Sequence, residues 1–239
     1  MTRQELQRLT SLPADELADL LREELSSFLE DEVLAILANR SITPQIIGRI
    51  AQTPRLTSFH SVRLRLVAHR QTPQAHAVKL VHYLYWIDLL RLSVDVQIAP
   101  AVRRAIDTQL LIRVEKVTLG EKISAARRCS GALIGVFLFD PSPRVFEALL
   151  LNNRLREDDL LRLLASDRPT ADQLRLLAAD IRWSNRYAIR KSLVLHPTTP
   201  RATAASQLRY LSRRDLLEIH SNPRTSVYLR RCIERTLGE

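Results

Sequence analysis

The residue types that could do chemistry in this chain are histidine, carboxylate, aromatic and, above all, arginine. The six histidines are His60, His69, His76, His82, His196 and His220. His69, His76 and His82 stand seven and six residues apart, which does not set three ligands on one helical face. His69 and His196 each precede a Thr-Pro pair, where an imidazole can bond the backbone of a turn. The run Glu157-Asp158-Asp159 reads as the first turn of a helix, whose positive end favours carboxylates over acid–base work. There is no Gly-rich phosphate loop, H-E-x-x-H, paired C-x-x-C or G-x-S-x-G. Cys129 and Cys232 lie in helical patterns about a hundred residues apart and are expected as free thiols. The expectation is no catalytic residue, no metal ligand and no cofactor.

Arginine is the informative type. The chain carries 36 basic and 26 acidic residues, a net charge of +10, and only Lys79, Lys116, Lys122 and Lys191 are lysines. The excess is uneven: residues 1–50 carry −4, 51–117 carry +6, 118–180 are neutral and 181–239 carry +8. A shift of 127 residues lays 66–110 on 193–237 with sixteen identities and no gap, including His69/His196, Pro73/Pro200, Tyr83/Tyr210 and Asp88/Asp215. The same shift pairs Arg55 with Arg182, Arg63 with Arg190, Arg103 with Arg230 and Arg104 with Arg231. Guanidinium groups repeated along one face suit a phosphate backbone or an acidic surface. Arg55, Arg103, Arg104, Arg182, Arg230 and Arg231 are therefore the candidate partner-binding residues. The competing role is an inter-repeat ladder of arginines to aspartates or backbone carbonyls. The ladder is expected for Arg63 and Arg190, and both roles stay open for Arg103-Arg104 and Arg230-Arg231.

The elements that position these groups are helices. Hydrophobic residues make up 46% of 239 positions, Gly numbers only five, and no alternating strand pattern of useful length occurs. Thr43-Pro44, Thr72-Pro73 and Thr199-Pro200 read as N-cap threonines before a proline in the first turn. The periodicity predicts helices over 14–29, 31–38, 58–69, 99–115, 119–129, 131–139, 142–152, 156–166, 171–180, 184–196 and 225–237. Asn39-Arg40 matches Asn153-Arg154 at a shift of 114, which implies one extra helix near residues 170–180 of the later copy. Tyr83, Tyr85 and Trp86, like Trp183 and Tyr187, are expected mainly as packing groups. The N-terminus lacks the apolar stretch of a signal peptide, and the longest apolar run, Ala132 to Phe139, falls far short of the ~20 residues that span a bilayer. A cytoplasmic protein without membrane insertion is expected.

Many short helices, an internal repeat and the stretch from Ile181 to Pro200 (IRWSNRYAIRKSLVLHPTTP) carry a resemblance. The stretch resembles a unit of HEAT-like solenoids, particularly the leucine-rich-repeat-variant type, with weaker echoes at Arg63–Pro73 and Ser221–Thr225. The iron–sulfur cluster of some variant-repeat proteins needs an N-terminal Cys cluster, which this sequence lacks. The resemblance covers 30–117 and 140–238. It implies an all-α, right-handed superhelical solenoid of short helix pairs with internal duplication. As one continuous domain, 1–239, it would have capping helices at 1–30, a first repeat unit at 31–117, connecting helices at 118–144 and a second unit at 145–239. Stacked repeats expose an extended surface that suits an elongated partner better than a small-molecule substrate. The expected function is a non-enzymatic scaffold for an extended or acidic macromolecular partner, a protein first. The alternative is nucleic-acid binding through the Arg rows. A third reading resembles the HEAT-like alkylpurine DNA glycosylases, and would need Asp180, Trp183 and Tyr187 to converge in a basic cleft.

Overall fold

The computed structural model describes residues 3–24 and 27–238. The described residues form nineteen α-helices and one short 3-10 turn, Val114–Lys116, and contain no strand. No helix among them is long and apolar enough to cross a membrane. The chain packs as two compact units, Met1–Lys116 and Val117–Glu239. The first holds α1 (Arg3–Leu9), α2 (Ala14–Glu24), α3 (Glu30–Leu37), α4 (Pro44–Gln52), α5 (Pro54–Thr57), α6 (His60–Ala68), α7 (Gln74–Val81), α8 (Trp86–Ser93) and α9 (Pro100–Arg113). The second opens with α10 (Leu119–Ala126), α11 (Gly131–Phe137) and α12 (Pro143–Leu150). It continues through α13 (Glu157–Leu164), α14 (Ala171–Ala179), α15 (Ile181–Ser184), α16 (Tyr187–Leu195), α17 (Arg201–Leu208), α18 (Arg213–Ser221) and α19 (Val227–Leu237). The expected helix 14–29 ends at Glu24 in α2, and its positions 25 and 26 lie outside the described residues.

Helices α3 to α7 fall on α13 to α17 residue for residue at a shift of 127, and α8 and α9 begin where α18 and α19 do. The extra helix expected near residues 170–180 is therefore not an insertion. It is α14, the counterpart of α4. The match of Asn39-Arg40 with Asn153-Arg154 misled because both pairs belong to the same kind of turn, at different steps of the chain.

Each helix buries one stripe. Ile46, Ile47 and Ile50 of α4 are buried, as are Leu174 and Leu177 of α14, Leu193 of α16 and Ile233 of α19. Proline starts α4, α5, α9 and α12, where its missing N–H costs nothing. Thr43 caps α4 as expected, accepting from the Ile46 amide. At Thr72-Pro73 and Thr199-Pro200, however, the proline itself is the cap residue. Thr72 sits one step too early to cap, and its hydroxyl instead donates to the Leu66 carbonyl at 2.6 Å, closing the preceding helix.

Short helices leave many polar backbone groups at their ends, and one device recurs to satisfy them. Asn39, His69, Asp95, Asp140, Asn152, His196 and Asn222 each lie within three residues of a helix end. At every one, a side-chain O or Nδ1 accepts from the amide two residues on, at 2.7–3.2 Å. Several of these groups also reach back to an earlier turn. Asn39 Nδ2 donates to the Leu9 and Leu12 carbonyls, and Asn152 Nδ2 to those of Ala126 and Cys129. His196 Nε2 lies 2.9 Å from the Ser166 carbonyl. Arginines do the same: Arg49 donates to the Leu21 carbonyl, and Arg113 to those of His82 and Leu84. Beside Asn152, burial pushes the Cys129 thiol up to about 12, so it stays protonated.

Asn152→Ala leaves two carbonyls and the Arg154 amide without this partner, and should destabilise the second unit by about 1–3 kcal/mol in urea unfolding. Asn153→Ala, at an exposed neighbouring position, should stay within ~0.5 kcal/mol of the parent. Equal effects would contradict the bridging role of Asn152.

Candidate binding clefts between the turns

The six arginines singled out by the repeat fall into two sets. Arg103 Nη2 donates to the Asp95 and Ile98 carbonyls at 2.8 and 3.1 Å, and Arg230 Nη2 to those of Asn222 and Pro223 at 3.1 and 3.3 Å. Each thus ties down the loop in front of its own helix, a local contact rather than a rung between repeats. Arg55, Arg104 and Arg231 are exposed on α5, α9 and α19. Arg182 is exposed too, but its guanidinium lies 4.5 Å over the Trp183 ring and reaches the Asn152 carbonyl at 3.5 Å. Arg63 and Arg190 stack on the paired Tyr83 and Tyr210, at 6.0 and 3.7 Å from the ring centres.

Asp180, Trp183 and Tyr187 are each engaged locally. Asp180 caps α15 by accepting from the Trp183 amide, and the Trp183 indole donates to the Leu150 carbonyl. The Tyr187 hydroxyl donates to Asp215, which also accepts from Lys191 and Ser212. The Tyr187 and Lys191 bonds together hold the Asp215 carboxyl down to about 2. Its contribution to stability is present above the ordinary carboxylate range and is lost as pH falls toward 2. In the first unit His60 takes the place of Tyr187 and pairs with Asp88 at 2.8 Å. Among the described residues, no group of three or more His, Cys, Asp or Glu could hold a metal ion.

The bracing of successive turns leaves clefts between them. In the first unit a cleft of about 690 Å³ lies across the Asn39 and His69 turns and reaches Gln97. Arg40, Arg65 and Arg70 line it, and all three are exposed. None of the three has a hydrogen-bond or ion-pair partner among the described residues. His69 lines the same cleft. Its Nδ1 accepts from the Gln71 amide, which leaves the proton of the neutral ring on Nε2. Burial first, and the Arg65 charge second, hold its pKa below the ordinary histidine value. Three uncompensated cations beside a neutral imidazole make a site that a carboxylate or phosphoryl group would stabilise.

The same step of the second unit carries a cleft of about 340 Å³. Asp167, Ser192 and Pro197 stand there in place of Arg40, Arg65 and Arg70, with Leu161, Leu164 and Leu195 on its walls. At this step, therefore, only the first unit carries a cationic cleft. Sequence reasoning missed it by weighing the arginine pairs that are identical at the 127-residue shift. The signal lay in the pairs that differ.

Because Arg103 and Arg230 bond loop carbonyls, Arg103→Gln and Arg230→Gln should each cost about 1–3 kcal/mol in chemical denaturation. Arg104→Gln and Arg231→Gln should fall within ~0.5 kcal/mol of the parent. Four equal effects would contradict the division.

Comparison with protein-family models, with curated proteins and with solved structures finds no match to this chain.

Proposed function

We propose that this chain is a non-enzymatic helical-repeat scaffold that binds an acidic protein segment, with the cleft of Arg40, Arg65 and Arg70 as its principal contact. The observation that carries this reading is the convergence of three guanidinium groups that have no anionic partner among the described residues. Like charges brought together by a fold repel one another, and an arriving carboxylate removes that cost. The cleft runs across turns rather than into a closed cavity, which suits an extended chain better than a small metabolite. In the same reading each unit is, taken by itself, a right-handed superhelical α-solenoid of HEAT-like helix pairs. The common register of α3–α9 and α13–α19 and the recurring braced turns support this architecture. A cytoplasmic setting accords with a free, buried Cys129.

A second reading, binding of nucleic acid, draws on Tyr210, whose ring has the Arg190 and Arg209 guanidinium groups at 3.7 and 4.7 Å. Arginine interleaved with aromatic rings is a surface that single-stranded nucleic acid uses. The cleft favours protein, because its cations are gathered at one place instead of set along a track.

Fluorescence anisotropy with a labelled Glu/Asp-rich peptide and with single- and double-stranded oligonucleotides, across a salt series, separates the two. The peptide should bind, and the variant R40Q/R65Q/R70Q should bind it at least about tenfold more weakly. An anion in the cleft favours the imidazolium form of His69, so peptide affinity should rise as pH falls through the ordinary histidine range. Tighter binding of an oligonucleotide, indifferent to the triple substitution, would overturn the protein reading.

A further inference from the structure

A second cleft, of about 450 Å³, lies in the second unit between the His196 and Asn222 turns. Arg201 and Arg224 line it, both exposed, together with Thr199, and no carboxylate is among its lining residues. Neither guanidinium has a hydrogen-bond or ion-pair partner among the described residues. At the corresponding positions of the first unit stand Gln74 and Gln97, so this step gained charge where the Asp167 step lacks it.

Both lips are fixed. On the Arg224 side, Asn222 Oδ1 accepts from the Arg224 amide at 2.9 Å and Thr225 donates to the Ile219 carbonyl at 2.6 Å. Arg230 bonds the Asn222 and Pro223 carbonyls of the same loop from behind. On the Arg201 side, His196 accepts from the Thr198 amide and contacts the Ser166 carbonyl. Arg201 then stands at the first position of α17.

Thr199 breaks the pattern of its counterparts. The hydroxyls of Thr72 and Thr225 donate to the carbonyl six residues back, whereas the buried Thr199 hydroxyl has no partner. An unpaired buried hydroxyl is costly, and a ligand oxygen would relieve it. Two guanidinium groups and one hydroxyl form a donor set for a tetrahedral oxyanion, since each guanidinium can offer two parallel N–H groups.

We propose that this cleft binds a single phosphoryl group carried by a phosphorylated serine or threonine of the acidic partner segment. The inference rests on the protein-binding reading above and names a second, separate site for the same partner class. A nucleic-acid duplex presents a phosphate on each strand about every 3.4 Å of its axis and would call for a row of cations. Here the cations are confined to one concavity. Arg230 is a positioning residue, acting through the loop that carries Arg224.

The test compares a phosphoserine peptide with its unphosphorylated form, both Glu/Asp-rich, by isothermal titration calorimetry. Wild-type protein should bind the phosphopeptide at least about tenfold more tightly. The variant R201Q/R224Q should bring that ratio near one while still binding the unphosphorylated peptide. R40Q/R65Q/R70Q should weaken both peptides and preserve the ratio. Thr199→Val, nearly isosteric, should lower the ratio while keeping the circular dichroism spectrum and raising the melting temperature, since it removes an unpaired buried hydroxyl. Inorganic phosphate should shift the Arg224 and Arg201 amide resonances saturably in the parent protein alone. A wild-type ratio near one, or a ratio that R201Q/R224Q leaves intact, overturns the inference while peptide binding still upholds the scaffold reading. Loss of binding by both peptides removes both. Displacement of the phosphopeptide by a short oligonucleotide that shifts the same arginines would replace the peptide with nucleic acid as occupant.

Discussion

Backbone polarity at helix ends is the constraint on which this structure depends. Most of its helices run only seven to eleven residues, and an α-helix leaves four N–H and four C=O groups unpaired at its ends. In helices this short, such groups are a large share of the whole backbone, and burying them unpaired would cost more than packing returns. The chain answers with side chains that reach one step back. Asn39, Arg49, Arg113, Asn152, Gln173, Arg182, Trp183 and His196 all contact carbonyls that lie 26–35 residues earlier. Gln173 shows the economy of the arrangement. Its amide oxygen accepts from the Thr170 amide at the start of α14, while its nitrogen donates to the Leu138 and Asp140 carbonyls.

This constraint divides the arginines by what they touch. One set, including Arg49, Arg103, Arg113 and Arg230, bonds carbonyls at helix ends and loops. Its charge belongs to the architecture as much as to any partner, because a guanidinium stays ionised and spans several carbonyls at once. The other set, Arg40, Arg65, Arg70, Arg201 and Arg224, lines the clefts that the braced turns leave between them. The two sets work together. Loops fixed by the first present the second at defined places, so the cations need little ordering when an anion arrives.

Much of the fold was legible in the sequence. The all-helical class followed from composition and periodicity, and the turn-bonding role of His69 and His196 followed from their place before Thr-Pro. The caps expected at Thr72 and Thr199 were misplaced by one residue, because Pro73 and Pro200 themselves hold the cap positions, with Thr72 bonded six residues upstream instead. The register of the later copy failed for a different reason. Asn-Arg is common to two turns at different steps, and a two-residue match cannot distinguish them. The clefts were the hardest to see. Identity across the 127-residue shift selects Arg103 and Arg230 along with the exposed Arg55, Arg104 and Arg231, and passes over Arg40, Arg65 and Arg70, which face Asp167, Ser192 and Pro197 in the other copy. Which arginine meets a carbonyl and which meets a cleft depends on distances that only the folded chain brings about.

The most direct test of this division is a side-chain NMR titration. Arginine Nε–H resonances would be followed while a Glu/Asp-rich peptide is added, in its phosphorylated and unphosphorylated forms. The account predicts saturable shifts at Arg40, Arg65 and Arg70 with both peptides, and at Arg201 and Arg224 with the phosphorylated one. Arg103, Arg113 and Arg230 should stay in place throughout. Shifts centred on Arg55, Arg104 and Arg231, or movement of the carbonyl-bound set in step with binding, would contradict it.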